Sequence, residues 1–229
     1  MRPLIRILIA GMVFISILLF TGWQLASLAV DAGLMVSLLD KHAQAGLDSR
    51  HDEMAVMTTD YLSGKTDVFQ LEISGDGENV PAFQEKEIAH MADVKHLVGL
   101  GQSMRWVLLG CLALAGLLYF FNRKGKGIIR TRDVELGASY GVFLFYALLL
   151  SVVLWGILDF TSLFTVFHHV LFTNDLWLLN PQTDRLIQLM PEPFFMEYAT
   201  RLATRNVMFY LGILLAAFYF VFGKTKETT

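Results

Sequence analysis

A single cysteine, Cys111, stands among 229 residues. That excludes an intramolecular disulfide, a zinc finger, an iron–sulfur centre and a thioredoxin-like dithiol. Charge is scarce as well, at 17% of residues against about 25% in a typical soluble domain. Lys+Arg 18 and Asp+Glu 21 leave a net charge of −3, so no basic field for nucleic acid exists. Neither the His-Glu-x-x-His spacing of a zinc protease nor a Gly-x-Ser-x-Gly nucleophile elbow occurs. Apolar residues fill the space instead: 55% are hydrophobic and the mean hydropathy is +0.51. The chain reads as a single membrane domain covering residues 1–229.

A spanning helix needs roughly 20 mostly apolar residues. Four stretches qualify, at about 4–30, 104–121, 137–158 and 207–222. The first resembles a signal peptide in carrying Arg2 and Arg6. Its apolar core exceeds the roughly 7–15 residues of a signal h-region, so an uncleaved anchor is expected. Arg6 lies inside it and is expected to snorkel. Lys and Arg near helix ends set orientation. Arg2 and Arg6, the run Arg123, Lys124, Lys126, Arg130 and Arg132, and Lys224 with Lys226 mark three cytoplasmic segments. The basic run has the composition to meet anionic headgroups, but topology signal accounts for it more simply. Both termini are then inside, and segments 31–103 and 159–205 are outside. All six histidines and every acid except Asp133, Glu135 and Glu227 lie in those outer segments. Any chemistry belongs to the extracytoplasmic face.

Segment 31–103 is too polar to span and too long for a connector. Residues 34–64 read as one helix that Gly64 caps. Val68–Ile73 alternates like a strand, Ser74–Asn79 reads as a turn, and residues 80–83 as a returning edge strand with Pro81. From Gln84 to Gly99, Ile88, Met91, Val94 and Leu97 recur at helical spacing. The fold class is all-α membrane protein: four transmembrane helices, with a mixed outer segment of helices and a short hairpin between the first two. In segment 159–205, Leu163–Phe172 is apolar but only about ten residues long. It is expected to lie in the interface or re-enter. Trp177 suits the headgroup level, and Pro191–Met196 is a second interfacial candidate.

His90 has Glu87 and Asp93 three residues away on either side, on one helical face. A carboxylate there would fix the ring tautomer and raise its basicity; an ordinary solvated salt-bridge row explains the spacing equally. His168 and His169 sit beside the bilayer, where ionisable groups are costly and usually functional. His168 shares a stripe with Leu171 and Phe172, so it is expected to face a site, with His169 peripheral. Asn174, Asp175 and Asp184 follow, suited to turn formation or to orienting a histidine. A metal held by His90, His96, His168 and His169 is conceivable, but His90 and His96 fall on different helix faces. Cys111 lies within a span, where a thiolate is disfavoured.

Tyr61-Leu-Ser-Gly64, Glu87-Ile-Ala-His-Met-Ala-Asp-Val-Lys95, Phe167-His-His-Val-Leu-Phe-Thr-Asn-Asp-Leu-Trp177, Asn180-Pro-Gln-Thr-Asp184 and Leu189-Met-Pro191 together resemble the Lit family. These are four-helix membrane lipoprotein intramolecular transacylases of Gram-positive bacteria. The resemblance covers nearly the whole chain. It implies an acyl transfer from the glycerol sn-2 oxygen of a diacylglyceryl lipoprotein to the α-amino group of its N-terminal cysteine. It also implies a catalytic pair at His90 and His168, with no cofactor and no metal. Donor and acceptor share one molecule, where effective molarities reach about 10⁵–10⁸ M, so no acyl-enzyme is required. Two histidines of near-neutral pKa can serve as base and acid. Backbone amides, Tyr61 or Asn174 are candidate oxyanion donors. Lipoproteins and membrane lipids are the expected partners; oligomeric state is open. The competing readings are an outer-face metal-dependent hydrolase or protease, and a non-enzymatic sensor or accessory subunit.

Overall fold

The computed structural model describes residues 2–44, 50–75, 78–124 and 130–222. Eight helices and one hairpin are seen among them. Helix α1 spans Arg2–Ala29, α2 Ala32–His42 and α3 His51–Leu62; strands β1 (Glu72–Gly75) and β2 (Glu78–Pro81) follow. Then come α4 (Glu85–Lys124), α5 (Thr131–Leu158), α6 (Phe160–Leu171), α7 (Arg185–Leu189) and α8 (Glu192–Phe222).

Among the described residues, three helices are long and apolar enough to cross a bilayer: Arg2–Ala29, Glu85–Phe121 and Thr131–Leu158. Helix α1 packs against both α4 and α5. Small residues let it. A Cβ at Gly137 would lie 2.9 Å from the carbonyl oxygen of Arg6, and one at Gly141 2.5 Å from that of Ala10. The Gly137-xxx-Gly141 ridge of α5 therefore seats directly on the α1 backbone, as small-residue stripes do in membranes. The pairing runs in parallel. Gly101 of α4 meets Ala26 and Gly22 of α1 in the opposite sense. Arg6 has a protein partner: its Nε donates to Asp133 Oδ1 at 2.6 Å, joining the starts of α1 and α5.

Helix α8 is antiparallel to α1. Asn206 Oδ1 accepts from Thr21 Oγ1 at 3.1 Å and Gln24 Nε2 at 3.2 Å, and Phe209 packs on Phe20 at 4.5 Å. The stretch Pro191–Met196 leads into α8, which starts at Glu192, with Phe194 buried. The backbone remains helical through the expected fourth span; side chains beyond Gly212 lie outside the described residues.

A compact apolar cluster sits on the outer segments, around Leu38, Leu39, Met54, Phe69, Phe83 and Leu189. The single helix expected over 34–64 is two, α2 and α3; residues 45–49 between them lie outside the described set. Gly64 has φ +78, the left-handed conformation that lets a glycine end a helix. The hairpin also differs from expectation. Glu72 pairs with Pro81 and Gly75 with Glu78, so most of the expected turn Ser74–Asn79 is strand and only Asp76 and Gly77, outside the described residues, connect it. Finally, the helix expected from Gln84 to Gly99 does not end before the second span. Both are one 40-residue helix, α4. At 1.5 Å per residue it is about 60 Å long, twice the roughly 30 Å hydrocarbon core, so its first turns stand clear of the bilayer.

Candidate active site

His90 lies on that projecting part of α4. His168 lies at the end of α6, which begins where Asp159 breaks α5 and caps the new helix through Ser162 N at 2.9 Å. The two rings face each other with centroids 6.2 Å apart. Both residues are 7% exposed, whereas His169 is exposed. An aromatic box encloses His168: Phe164 at 4.1 Å, Trp177 at 4.9 Å and nearly parallel, and Phe172 at 5.7 Å. Phe172 also sits edge-on to His90 at 5.2 Å.

The hydrogen bonds distinguish the rings. His168 Nδ1 donates to the Phe164 carbonyl oxygen at 2.7 Å, which leaves Nε2 with its lone pair free. His90 Nδ1 is buried and has no partner among the described residues. Burial, then the neighbouring His168, pushes the His90 pKa down to about 4; Asp93 opposes that shift and Lys86 adds to it. Burial also lowers His168, against the pull of its Phe164 bond and with help from His169. Both imidazoles are neutral at pH 7.

Asp93 does not hydrogen-bond His90. Its Oδ2 accepts from Asn174 Nδ2 at 2.9 Å, so it reaches the ring through charge alone. Asn174 Oδ1 meanwhile accepts from Leu176 N at 3.1 Å, closing an Asx turn. Asn174 is thus a clasp between loop and α4. Glu87 faces a different task from the one its spacing suggests. Oε2 accepts from Gln84 N at 2.8 Å and Oε1 from Leu186 N at 2.6 Å, in a side chain 1% exposed. It caps α4 and pins the start of α7. Asp175 is exposed; its carbonyl oxygen, not its carboxylate, accepts from Leu178 N at 3.1 Å. Asp184 accepts locally from Asn180 N and Thr183 Oγ1. Tyr61 belongs to the outer core, 5.2 Å from Phe69 and beneath the Lys95 ammonium. His96 is exposed, and no group of three or more His, Cys, Asp or Glu is placed to hold a metal among the described residues.

Trp177 departs most from expectation. It is 7% exposed, packed inside the protein, and its Nε1 is buried without a partner among the described residues. Spacing carried no sign of this, because a short turn-rich loop places it.

Long apolar helices beneath a desolvated histidine pair define an integral membrane protein with a buried polar site. The family model described as Lipoprotein intramolecular transacylase Lit matches residues 7–195, and the chain belongs to that family. Solved structures agree in fold. The membrane integral lipoprotein intramolecular transacylase Lit from Bacillus cereus is similar at 24% identity, over 97% of each chain, with a TM-score of 0.57. A form of it carrying a histidine-to-arginine mutation gives 23% identity over 96% of this chain and 92% of that one, with a TM-score of 0.51. A histidine-to-alanine form gives 22% over 97% and 95%, with 0.52. Nothing matches among the curated proteins.

Proposed function

We propose that this transacylase moves the sn-2 acyl chain of a diacylglyceryl lipoprotein to the α-amino group of its N-terminal cysteine, with His90 and His168 carrying the protons. The observation that supports this most is the pair itself: two neutral, buried imidazoles 6.2 Å apart, contributed by two outer segments. The α-amino nitrogen attacks the ester carbonyl carbon, a C–N bond forms and the π pair moves to oxygen. His168 Nε2 takes the amine proton, because the Phe164 carbonyl already steadies the resulting cation from the Nδ1 side. The tetrahedral carbon collapses, the C–O bond to glycerol breaks, and the proton reaches the departing oxygen through His90. A cationic His90 is a strong acid in this setting, since burial disfavours its charge. Ester and amine become amide and alcohol with no net proton change. Asp93 and Asn174 hold the loop that carries Trp177.

In this reading the chain is one domain with four spans and both termini cytoplasmic, and the site faces the extracytoplasmic side of the cell membrane. The antiparallel run of α8 along α1 supports the fourth span. In a chain with Cys111→Ser, Gly75→Cys is expected to react with an impermeant thiol reagent in intact cells, and Gly125→Cys is not. The reverse pattern removes the outer-face site. The activity test is mass spectrometry of the lipoprotein N-terminal lipopeptide, with parent, His90→Ala or His168→Ala protein. Lyso-form product with the parent alone supports the reading; product from both variants overturns the two-histidine mechanism.

A further inference from the structure

Acyl transfer to an amine builds negative charge on the former carbonyl oxygen, and a site for it needs a donor aimed where that oxygen will be. Neither side chain expected to supply it is placed to do so. Asn174 Nδ2 donates to Asp93, and Tyr61 stands in the outer core between Phe69 and Lys95. His168 Nδ1 is committed to Phe164. His90 Nδ1, also buried without a partner, belongs to the ring that carries protons; the one unpartnered buried donor outside the pair is Trp177 Nε1–H, stacked alongside His168 with no acceptor among the described residues. Indole nitrogen only donates and does not titrate, so it cannot be a third proton carrier. Its ring lies nearly parallel to that of His168, so its N–H, lying in the indole plane, runs alongside the imidazole and not into its face.

We propose that Trp177 is a catalytic residue whose indole N–H donates to the ester carbonyl oxygen and holds the oxyanion of the tetrahedral intermediate. This rests on the histidine reading above. The donor is fixed before substrate arrives. Asn174 clasps Asp93 on one side of it, the Lys86 ammonium donates to the Leu178 carbonyl on the other, and Leu179 N closes on the Trp177 carbonyl at 2.9 Å. Phe164, Phe172 and His90 exclude water from the same space, which strengthens a hydrogen bond to a forming oxyanion. As the carbonyl π pair moves to oxygen the bond shortens; when the C–O bond to glycerol breaks, the pair returns and the bond relaxes to that of a neutral amide. No proton leaves Nε1.

The test removes the N–H and keeps the ring. Benzothienylalanine, with sulfur in place of the indole nitrogen, is placed at position 177 alone, and Trp177→Phe is made beside it. The full chain in lipid vesicles converts a synthetic diacylglyceryl lipopeptide with a free N-terminal amine, and lyso product is read by mass spectrometry. The expected result is a kcat lower by about 10²–10³-fold in both. KM should stay within about threefold, because the bond is made chiefly in the transition state. The pH profile and thermal midpoint should match the parent. An unchanged kcat, a loss confined to KM, a shifted pH profile or a lowered midpoint with the sulfur isostere overturns the proposal. His169, edge-on to the indole at 5.0 Å, supplies a control. A loss in His169→Ala equal to that of the isostere means the N–H serves that ring, which also overturns it. Failure of the histidine reading shows separately, as product formation by His90→Ala and His168→Ala with Trp177 intact.

Discussion

Glu87→Gln separates two roles that spacing alone leaves merged. As a carboxylate, Glu87 accepts from two backbone donors, Gln84 N at 2.8 Å and Leu186 N at 2.6 Å, in a nearly water-free position. Glutamine keeps the length and one acceptor. Its amide nitrogen then faces one of the same N–H groups, donor against donor. One charge-assisted bond is lost and one buried N–H is left unmet, an unmet group costing about 1–3 kcal/mol. Part of the capping contribution, typically about 1 kcal/mol, goes too. The sum is about 2–4 kcal/mol, a large share of the roughly 5–15 kcal/mol that holds a typical protein folded.

Chemical denaturation in detergent or lipid, followed by a probe on the outer segments, reads that loss directly. The transition midpoint of Glu87→Gln should fall. Activity should fall only with the folded fraction, and the pH profile of kcat/KM on the remaining folded enzyme should overlay that of the parent. An enzyme as stable as the parent with a displaced pH profile refutes the reasoning, because Glu87 would then tune His90 and not staple α4 to α7.

His90→Ala and His168→Ala should each reduce kcat by about 10²–10⁴-fold, and the double variant should be no worse than either, since the rings act as one unit; multiplicative losses would show independent roles. Asp93→Asn removes the charge that supports a protonated His90 and weakens the Asn174 clasp. It should cost about tenfold, less than His90→Ala, and an inert variant defeats the supporting role. Between pH 6.5 and 8, kcat/KM should rise with deprotonation of the substrate amine, near pKa 8, and a histidine limb should appear only below about 6.5. Stability linked to the two lowered pKa values is complete above pH 6.5. For His90 it is lost as pH falls toward about 4, where the unfolded chain has already bound the proton. A histidine-dependent break near pH 7 contradicts the desolvated pair. His42→Gln and His51→Gln should leave turnover intact, because these rings serve Glu197 and Asp40.

The membrane helices were legible because a bilayer imposes length and composition, and α1 and α5 follow that rule. What composition conceals is continuity. The polar helix starting at Glu85 and the apolar span ending at Phe121 differ in pattern, yet no glycine–proline break parts them, so the backbone never stops. The reverse holds at 34–64, where one helical reading covers two elements: α2 ends at His42 and α3 starts at His51. In the site, His168 stood out as an ionisable group among apolar neighbours, and His90 by the carboxylates three residues to either side. Their partners did not. Glu87 and Asp93 have the same spacing to His90, and only tertiary contacts, to Leu186 and to Asn174, send one to a helix cap and the other to the loop. Trp177 reads as an interfacial anchor from sequence because burial of a tryptophan is decided by what the chain folds over it.

In the proposed mechanism, the aromatic box sets the order of events. Phe164, Phe172 and Trp177 make it costly for either ring to hold a charge before substrate arrives. A site in water would keep its imidazoles near pKa 6.5, partly protonated and solvated. On the proposed mechanism a ring becomes cationic only as an oxyanion forms beside it, and the two charges stabilise each other in a low dielectric. The Phe164 carbonyl tilts that balance toward His168 as first acceptor, since a cationic ring strengthens a bond already made. His90, with its orphaned Nδ1 and a pKa near 4, is left as the poorer holder and better giver of the proton. Replacing Phe172 with Asn tests this directly. Admitting water should raise both histidine pKa values toward 6.5 and move the acid limb of kcat/KM upward. It should also lower kcat even though both histidines remain. An unchanged limb in a folded variant would show that desolvation by the box does not set the proton order.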